Sequence, residues 1–145
     1  MTTNHILLAE DNAADELLVR EALREHGVAC DLHVVRDGAQ AISFILHLDT
    51  NGSAEPRLDL LLLDMHLPRH DGDEILRTLR STEHHSQKPV IVMSSSEAPR
   101  LRDTAHTHDA LYFFHKPSSL DEFMLLGGIV KGVLNRLTPI AGGAA

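Results

Sequence analysis

Apolar residues along this chain follow two rhythms, short unbroken runs and stretches spaced three and four apart. Ile6-Leu7-Leu8-Ala9 is a compact run ending at Glu10-Asp11, and from Asp15 onward Leu17, Leu18, Ala22 and Leu23 return at helical spacing until Gly27. Leu32-His33-Val34-Val35 predicts a second strand, and Ala39, Ala41, Ile42, Ile45 and Leu46 a second helix before a turn-rich loop from Asp49 to Pro56. The run from Leu58 to Leu63 is almost wholly apolar and drives into Asp64. Ile75, Leu76 and Leu79 mark the helix after it, and Pro89-Val90-Ile91-Val92-Met93 reads as a fourth strand ending in Ser94-Ser95-Ser96. A weaker helix near Glu97 to Thr107 leads to the short strand Leu111-Tyr112-Phe113-Phe114 and then His115-Lys116-Pro117. Ser119 with Glu122 forms a capping box ahead of a helix whose apolar stripe is Phe123, Leu126, Val130, Val133 and Leu137, weakened by Gly127, Gly128 and Gly132.

Five strands alternating with five helices predict an α/β fold, a doubly wound five-stranded parallel sheet with helices on both faces, because parallel neighbours need right-handed crossover connections. The 145 residues suit one domain, expected over 1–137, with a tail from Thr138 to Ala145 that has little means of burying surface. A formal net charge of -8, with no dense basic block, argues against nucleic acid as a direct partner. Cys30 is the only cysteine, so no internal disulfide is possible, and no run approaches the ~18 apolar residues that span a membrane. With no recognisable export signal at its start, a cytoplasmic protein is expected.

In such a sheet every strand points its carboxyl end at one edge, where open α/β sheets hold their ligands. Glu10-Asp11, Asp64, Ser94 and Lys116 all follow strands and are expected to converge there. Taken alone, Asp64 could equally open a turn ahead of Pro68. Three clustered carboxylates repel and raise one another's pKa unless protons or a cation sit among them. Oxygen-only ligands select a hard ion, and a few carboxylates with waters and a phosphate oxygen describe Mg²⁺. A carboxylate can attack phosphorus when charge on the moving phosphoryl group is neutralised from several sides. Asp64 is then the nucleophile, Glu10 and Asp11 hold Mg²⁺, and the Lys116 ammonium and Ser94 hydroxyl each take a phosphoryl oxygen.

These residues resemble the receiver domain of two-component response regulators. The acidic pair Glu10-Asp11, the stretch Leu61-Leu62-Leu63-Asp64-Met65-His66-Leu67-Pro68 with Gly72, Ser94 and Lys116-Pro117 carry the resemblance over most of the chain. It implies a flavodoxin-like fold and phosphorylation of Asp64 by a histidine kinase or phosphotransfer protein, with the backbone carbonyl of His66 completing the metal shell. It further implies that Ser94 and Phe113 form the switch, and that His66 and Ser96 set the lifetime of the phosphoryl group. The segment Glu10-Asp11-Asn12-Ala13-Ala14-Asp15, with the insertion around Asp49 to Pro56, looks like the small stand-alone receivers associated with bacterial phytochromes and hybrid histidine kinases. Where the family commonly has Thr this chain has Ser94, and the usual Gly-Ala before the fifth strand is Asp109-Ala110, leaving Asp109 in either an ordinary or a left-handed conformation.

The 11 histidines, including His84-His85 and the His106 and His108 pair, are expected to lie solvated on the surface rather than to bind zinc. Phe113 faces away from its neighbours in the strand and is expected to be exposed in the inactive state. The expected output is a change in protein contact, read by a downstream protein or by a second copy through the last two helices and fifth strand. Two other functions compete. An Mg²⁺-dependent phosphatase with an Asp nucleophile usually has a second Asp two residues on, where this chain has His66. A pseudo-receiver that is never phosphorylated would not need the full set of acids, hydroxyl and lysine.

Overall fold

The computed structural model describes residues 3–50, 57–69 and 71–137. Five strands and five helices alternate: β1 (Asn4–Ala9), α1 (Ala13–Glu25), β2 (Cys30–Val35), α2 (Gly38–Thr50), β3 (Leu60–Asp64), α3 (Gly72–Arg80), β4 (Val90–Ser94), α4 (Pro99–Thr107), β5 (Tyr112–His115) and α5 (Leu120–Leu137). All strand pairs are parallel, in the order β2-β1-β3-β4-β5. The chain winds one way from β1 to β2 and the other way from β3 onward, so a crevice opens between the ends of β1 and β3.

Alternation along the central strands explains why they read as continuous apolar runs: both faces are covered. Leu7, Leu61, Leu63, Val90 and Val92 point toward Ala41 and Ile45 of α2, Ile75, Leu76 and Leu79 of α3, and Leu101 of α4. Ile6, Leu8, Leu60, Leu62, Ile91 and Met93 point the other way, toward Val19, Ala22 and Leu23 of α1 and Phe123, Leu126 and Val130 of α5. All residues of β3 and β4 are buried.

Several boundaries differ from the sequence expectation, each for a local reason. β3 begins at Leu60, because Asp59 ties the preceding chain to β1 by accepting the His5 N–H at 2.7 Å. α2 runs on through Asp49 and Thr50, where a loop is expected, and Asp49 accepts the N–H groups of Glu83 and His84 at 2.9 and 2.8 Å. The rest of that loop, 51–56, and the tail 138–145 lie outside the described residues. α4 starts at Pro99, which suits a first helical position because its missing N–H would have no partner there. Ser119 does cap α5, its hydroxyl accepting the Glu122 N–H at 3.2 Å.

Gly127 does more than weaken α5. A Cβ on it would stand 2.0 Å from the Ala22 carbonyl oxygen, so the glycine lets α1 and α5 approach backbone to backbone. Asp109 takes the left-handed alternative, with φ +58. The histidines are not uniformly solvated. His85 is 4% exposed in the turn after α3, with Asp49 3.7 Å away, and half-buried His108 meets Asp73 at 2.7 Å. His84 and His106 are exposed, as expected.

Candidate functional site

Each residue at the sheet edge is delivered by a strand end. Glu10 follows β1 and is held there by its N–H bond to the Val35 carbonyl at 3.0 Å. Asp64 closes β3, where its Oδ1 accepts the His66 N–H at 2.9 Å. Lys116 follows β5, and its backbone N–H reaches the Ser94 carbonyl at 2.8 Å. From that anchor the Lys116 Nζ extends to three carboxylates: Glu10 Oε1 at 2.7 Å, Asp15 Oδ2 at 2.8 Å and Asp64 Oδ2 at 2.9 Å. An ammonium has three N–H donors, and all three are used.

Glu10, Asp11 and Asp64 each bring one oxygen within 4.8 Å of the others. Glu10 and Asp64 are buried while Asp11 is exposed, so the cluster opens to solvent on one side. The donor set is oxygen alone, which fits a hard divalent cation with waters filling the open side. Electrostatics points the same way. Burial, with hydrogen bonding to Asp64, pushes the Glu10 carboxyl up to about 7. Burial also works against the Asp64 carboxylate, but hydrogen bonds from Glu10 and the His66 N–H, with the Lys116 charge, hold it below its ordinary value. Below about pH 7 the pair therefore favours holding one proton, on Glu10, and a cation among the carboxylates would displace it. Burial disfavours the Lys116 ammonium, yet its contacts with Asp15, Glu10 and Asp64 outweigh that and raise its pKa.

Ser94 is fully buried at the end of β4, one residue beyond Met93, which pairs with Asp64. Its hydroxyl accepts the Ser96 N–H at 3.0 Å, and the Ser96 hydroxyl accepts the Ala98 N–H at 3.1 Å, so the β4–α4 loop is folded over its own serines. The His66 side chain is exposed. Gly72 lies so close to Met65 that a Cβ would meet the thioether sulfur at 2.3 Å, which keeps the loop after Asp64 tight. Phe113 departs from expectation. It is half-buried against the α2–α3–α4 side of the core, with the Arg102 guanidinium 4.4 Å from its ring centroid, because alternation along β5 turns it inward while Tyr112 is 46% exposed.

Asp15 is the site residue that sequence reasoning missed. It lies in the first turn of α1, whose N-cap Asn12 accepts the Asp15 N–H at 3.0 Å, and an acid there is what any helix start favours. Its one distinguishing signal is that α1 rises directly from the end of β1 that carries Glu10 and Asp11.

A doubly wound sheet with acids, a lysine and a buried serine at its carboxyl edge defines a class of phosphoryl-handling signalling domain. The chain belongs to the response regulator receiver domain family, whose sequence profile matches residues 6–126. These are the phospho-accepting domains of two-component signalling. Response regulator Rcp1 of Synechocystis sp. is 39% identical over 93 residues, which is 63% of this chain and 61% of that protein. The fold is similar to the phosphorylated cyanobacterial phytochrome response regulator RcpA, with TM-score 0.81 and 31% identity over 94% of this chain and 98% of that one. It is also similar to the Mn²⁺-bound form of response regulator Rcp1, with TM-score 0.80 and 30% identity over 95% and 99% of the two chains. The chain spans about half the length of the curated MprA regulators it matches, 52% for that of Mycolicibacterium vanbaalenii. No helix among the described residues is long and apolar enough to cross a membrane.

Proposed function

We propose that residues 1–137 form a receiver unit in which Asp64 is the phospho-acceptor, and that Mg²⁺ is the resident cation. The observation that carries this reading is the Lys116 ammonium, which bonds Asp64 Oδ2 at 2.9 Å and Glu10 Oε1 at 2.7 Å beside an oxygen-only trio of carboxylates. The donor is a phosphohistidine on a histidine kinase or phosphotransfer protein. An Asp64 oxygen attacks phosphorus, a new P–O bond forms as the P–N bond breaks, and the leaving imidazole recovers the electron pair and takes a proton. Glu10, Asp11, Asp64 and the His66 carbonyl would hold Mg²⁺, which when bound supplies positive charge to the phosphoryl oxygens. Lys116 neutralises a further oxygen. Ser94 gives up its contact with the Ser96 N–H and donates its hydroxyl to the phosphoryl group, drawing the β4–α4 loop inward.

That movement acts on Phe113, whose ring lies under Arg102 and packs against the same side of the core as Ala98 of the β4–α4 loop. Phosphorylation biases an existing equilibrium, and the surface of α4, β5 and α5 changes with it. Leu111 and Tyr112 are 50% and 46% exposed on that surface, where a downstream protein or a second copy in the cytoplasm reads the state. His66 and Ser96 flank the acceptor and set how fast water removes the phosphoryl group. The test is labelling by a phosphorylated histidine kinase with Mg²⁺. The chain is expected to take up one phosphoryl group and Asp64→Asn none; full labelling of that variant would overturn the assignment.

A further inference from the structure

Lys116 has more acceptors than the receiver chemistry explains. Two of its three partners, Glu10 and Asp64, also belong to the oxygen trio suited to a cation, and Asp64 is the group to be phosphorylated. Once cation and phosphoryl group arrive, both carboxylates acquire other obligations. Asp15 lies outside the trio, and its contact with Nζ at 2.8 Å depends on neither. A lysine is a point charge on a flexible four-carbon stem, so the place of its tip is set by whatever accepts its protons. The root of this stem is fixed by the backbone bond to Ser94, and Asp15 is fixed by α1 and its Asn12 cap. Two rigid elements therefore grip the lysine from opposite ends.

We propose that Asp15 is a positioning residue for Lys116: its carboxylate holds the ammonium over Asp64 through the one acceptor that neither the cation nor the phosphoryl group takes over. This rests on the assignment of Asp64 as phospho-acceptor. Without Asp15, the tip of Lys116 follows Glu10 and Asp64 alone and is pulled out of register when those carboxylates turn to a cation. The phosphoryl group then loses a preplaced partner while the cation keeps all of its ligands. A residue that only stabilised the start of α1 would act on folding and leave this split unmoved.

The experiment is a pair of titrations on the full chain, each followed by backbone amide resonances. Mg²⁺ alone reads the cation site, and beryllofluoride at saturating Mg²⁺ reads the phosphoryl site. In Asp15→Ala the beryllofluoride affinity is expected to fall about tenfold, the scale of one charge-assisted hydrogen bond. That fall should exceed any change in Mg²⁺ affinity by about fivefold or more. Asp15→Asn keeps an oxygen acceptor at the same reach and is expected to restore most of the loss. Equal changes in the two titrations, or an Asp15→Asn variant as weak as Asp15→Ala, would overturn the proposal. Unaltered beryllofluoride binding by Asp15→Ala overturns it while leaving Asp64 as acceptor. Failure of the unsubstituted chain to bind beryllofluoride overturns the acceptor assignment and this inference together.

Discussion

Two half-buried cations, Lys116 at the carboxyl edge of the sheet and Arg80 at the end of α3, are satisfied in opposite ways. Among the described residues the Lys116 ammonium donates only to side-chain carboxylates, those of Glu10, Asp15 and Asp64. Arg80 donates to backbone carbonyls, reaching His108 at 2.8 Å, Ser86 at 3.0 Å, Lys88 at 2.7 Å and Asp109 at 3.2 Å. Carboxylates can take a proton, a metal or a phosphoryl group and so release the lysine. The carbonyls around Arg80 take neither a proton nor a phosphoryl group, and the guanidinium already occupies them. The planar guanidinium fork suits several fixed acceptors at once, whereas a rotating ammonium suits partners that change. The same need, to compensate a positive charge inside a protein, thus yields a site that can switch and a clamp that cannot. Arg80 ties α3 to the loop before β5, where Asp109 holds its left-handed turn, and so fixes the far end of the element pair whose near end is proposed to move.

Exchanging the two cations for apolar side chains separates their roles. Lys116→Met is expected to lower phosphorylation of Asp64 by up to about 10³-fold, the scale for removing one preplaced donor to developing charge. Radiolabel uptake from a phosphorylated kinase measures it, and uptake within tenfold of the unsubstituted rate would refute an exchangeable role. Arg80→Met is expected to cost about 3 kcal/mol of stability, because several carbonyls lose a charged donor at once. Urea unfolding reads that cost, while beryllofluoride affinity should hold within about twofold. A variant as stable as the parent would mean that water replaces the guanidinium and that the clamp is ornamental.

Gly127 supplies a smaller effect on the other face of the sheet. A methyl group there meets the Ala22 carbonyl oxygen, which belongs to backbone and cannot rotate away. Gly127→Ala gains helix propensity worth about 1 kcal/mol but must part α1 from α5, so a net loss of about 2 kcal/mol is expected. A rise in melting temperature would show that the two helices separate more freely than their close packing implies.

The sequence is readable where burial or topology leaves a pattern in it. The central strands announce themselves because burial on both faces removes all polar interruption, as in Leu60-Leu61-Leu62-Leu63. Glu10, Asp64, Ser94 and Lys116 are legible because each stands at or just beyond a strand end, and parallel topology brings such ends together. Asp15 is hidden because a first-turn acid already has a local explanation. Arg80 is hidden more deeply, since its partners are carbonyls that every residue possesses. His85 and Asp49 escape for a related reason: α2 continues past the expected boundary, bringing Asp49 to the turn after α3. Phe113 misleads because strand alternation gives the side it faces without giving the Arg102 that covers it.

The lysine site should finally betray its exchangeable character through pH. Buried Glu10, sharing hydrogen bonds with Asp64, has its carboxyl raised from 4.5 to about 7, so the folded chain holds a proton there that the unfolded chain releases. The stability contributed by that proton is fully present below about pH 4.5 and is lost as pH rises through about 7. A divalent cation needs the same carboxylate ionised, so its affinity runs in the opposite sense and grows as the proton leaves. Asp64, held below its ordinary value, stays ionised throughout this range and adds no slope of its own. Lowering the pH from 8 to 6 is therefore expected to weaken Mg²⁺ binding about tenfold, equivalent to one proton displaced per cation. Calorimetric titration in buffers of differing ionisation enthalpy counts that proton directly. An affinity that is flat from pH 6 to 8, with no proton released, would show that Glu10 is already ionised in the absence of cation and that Lys116 alone neutralises the cluster.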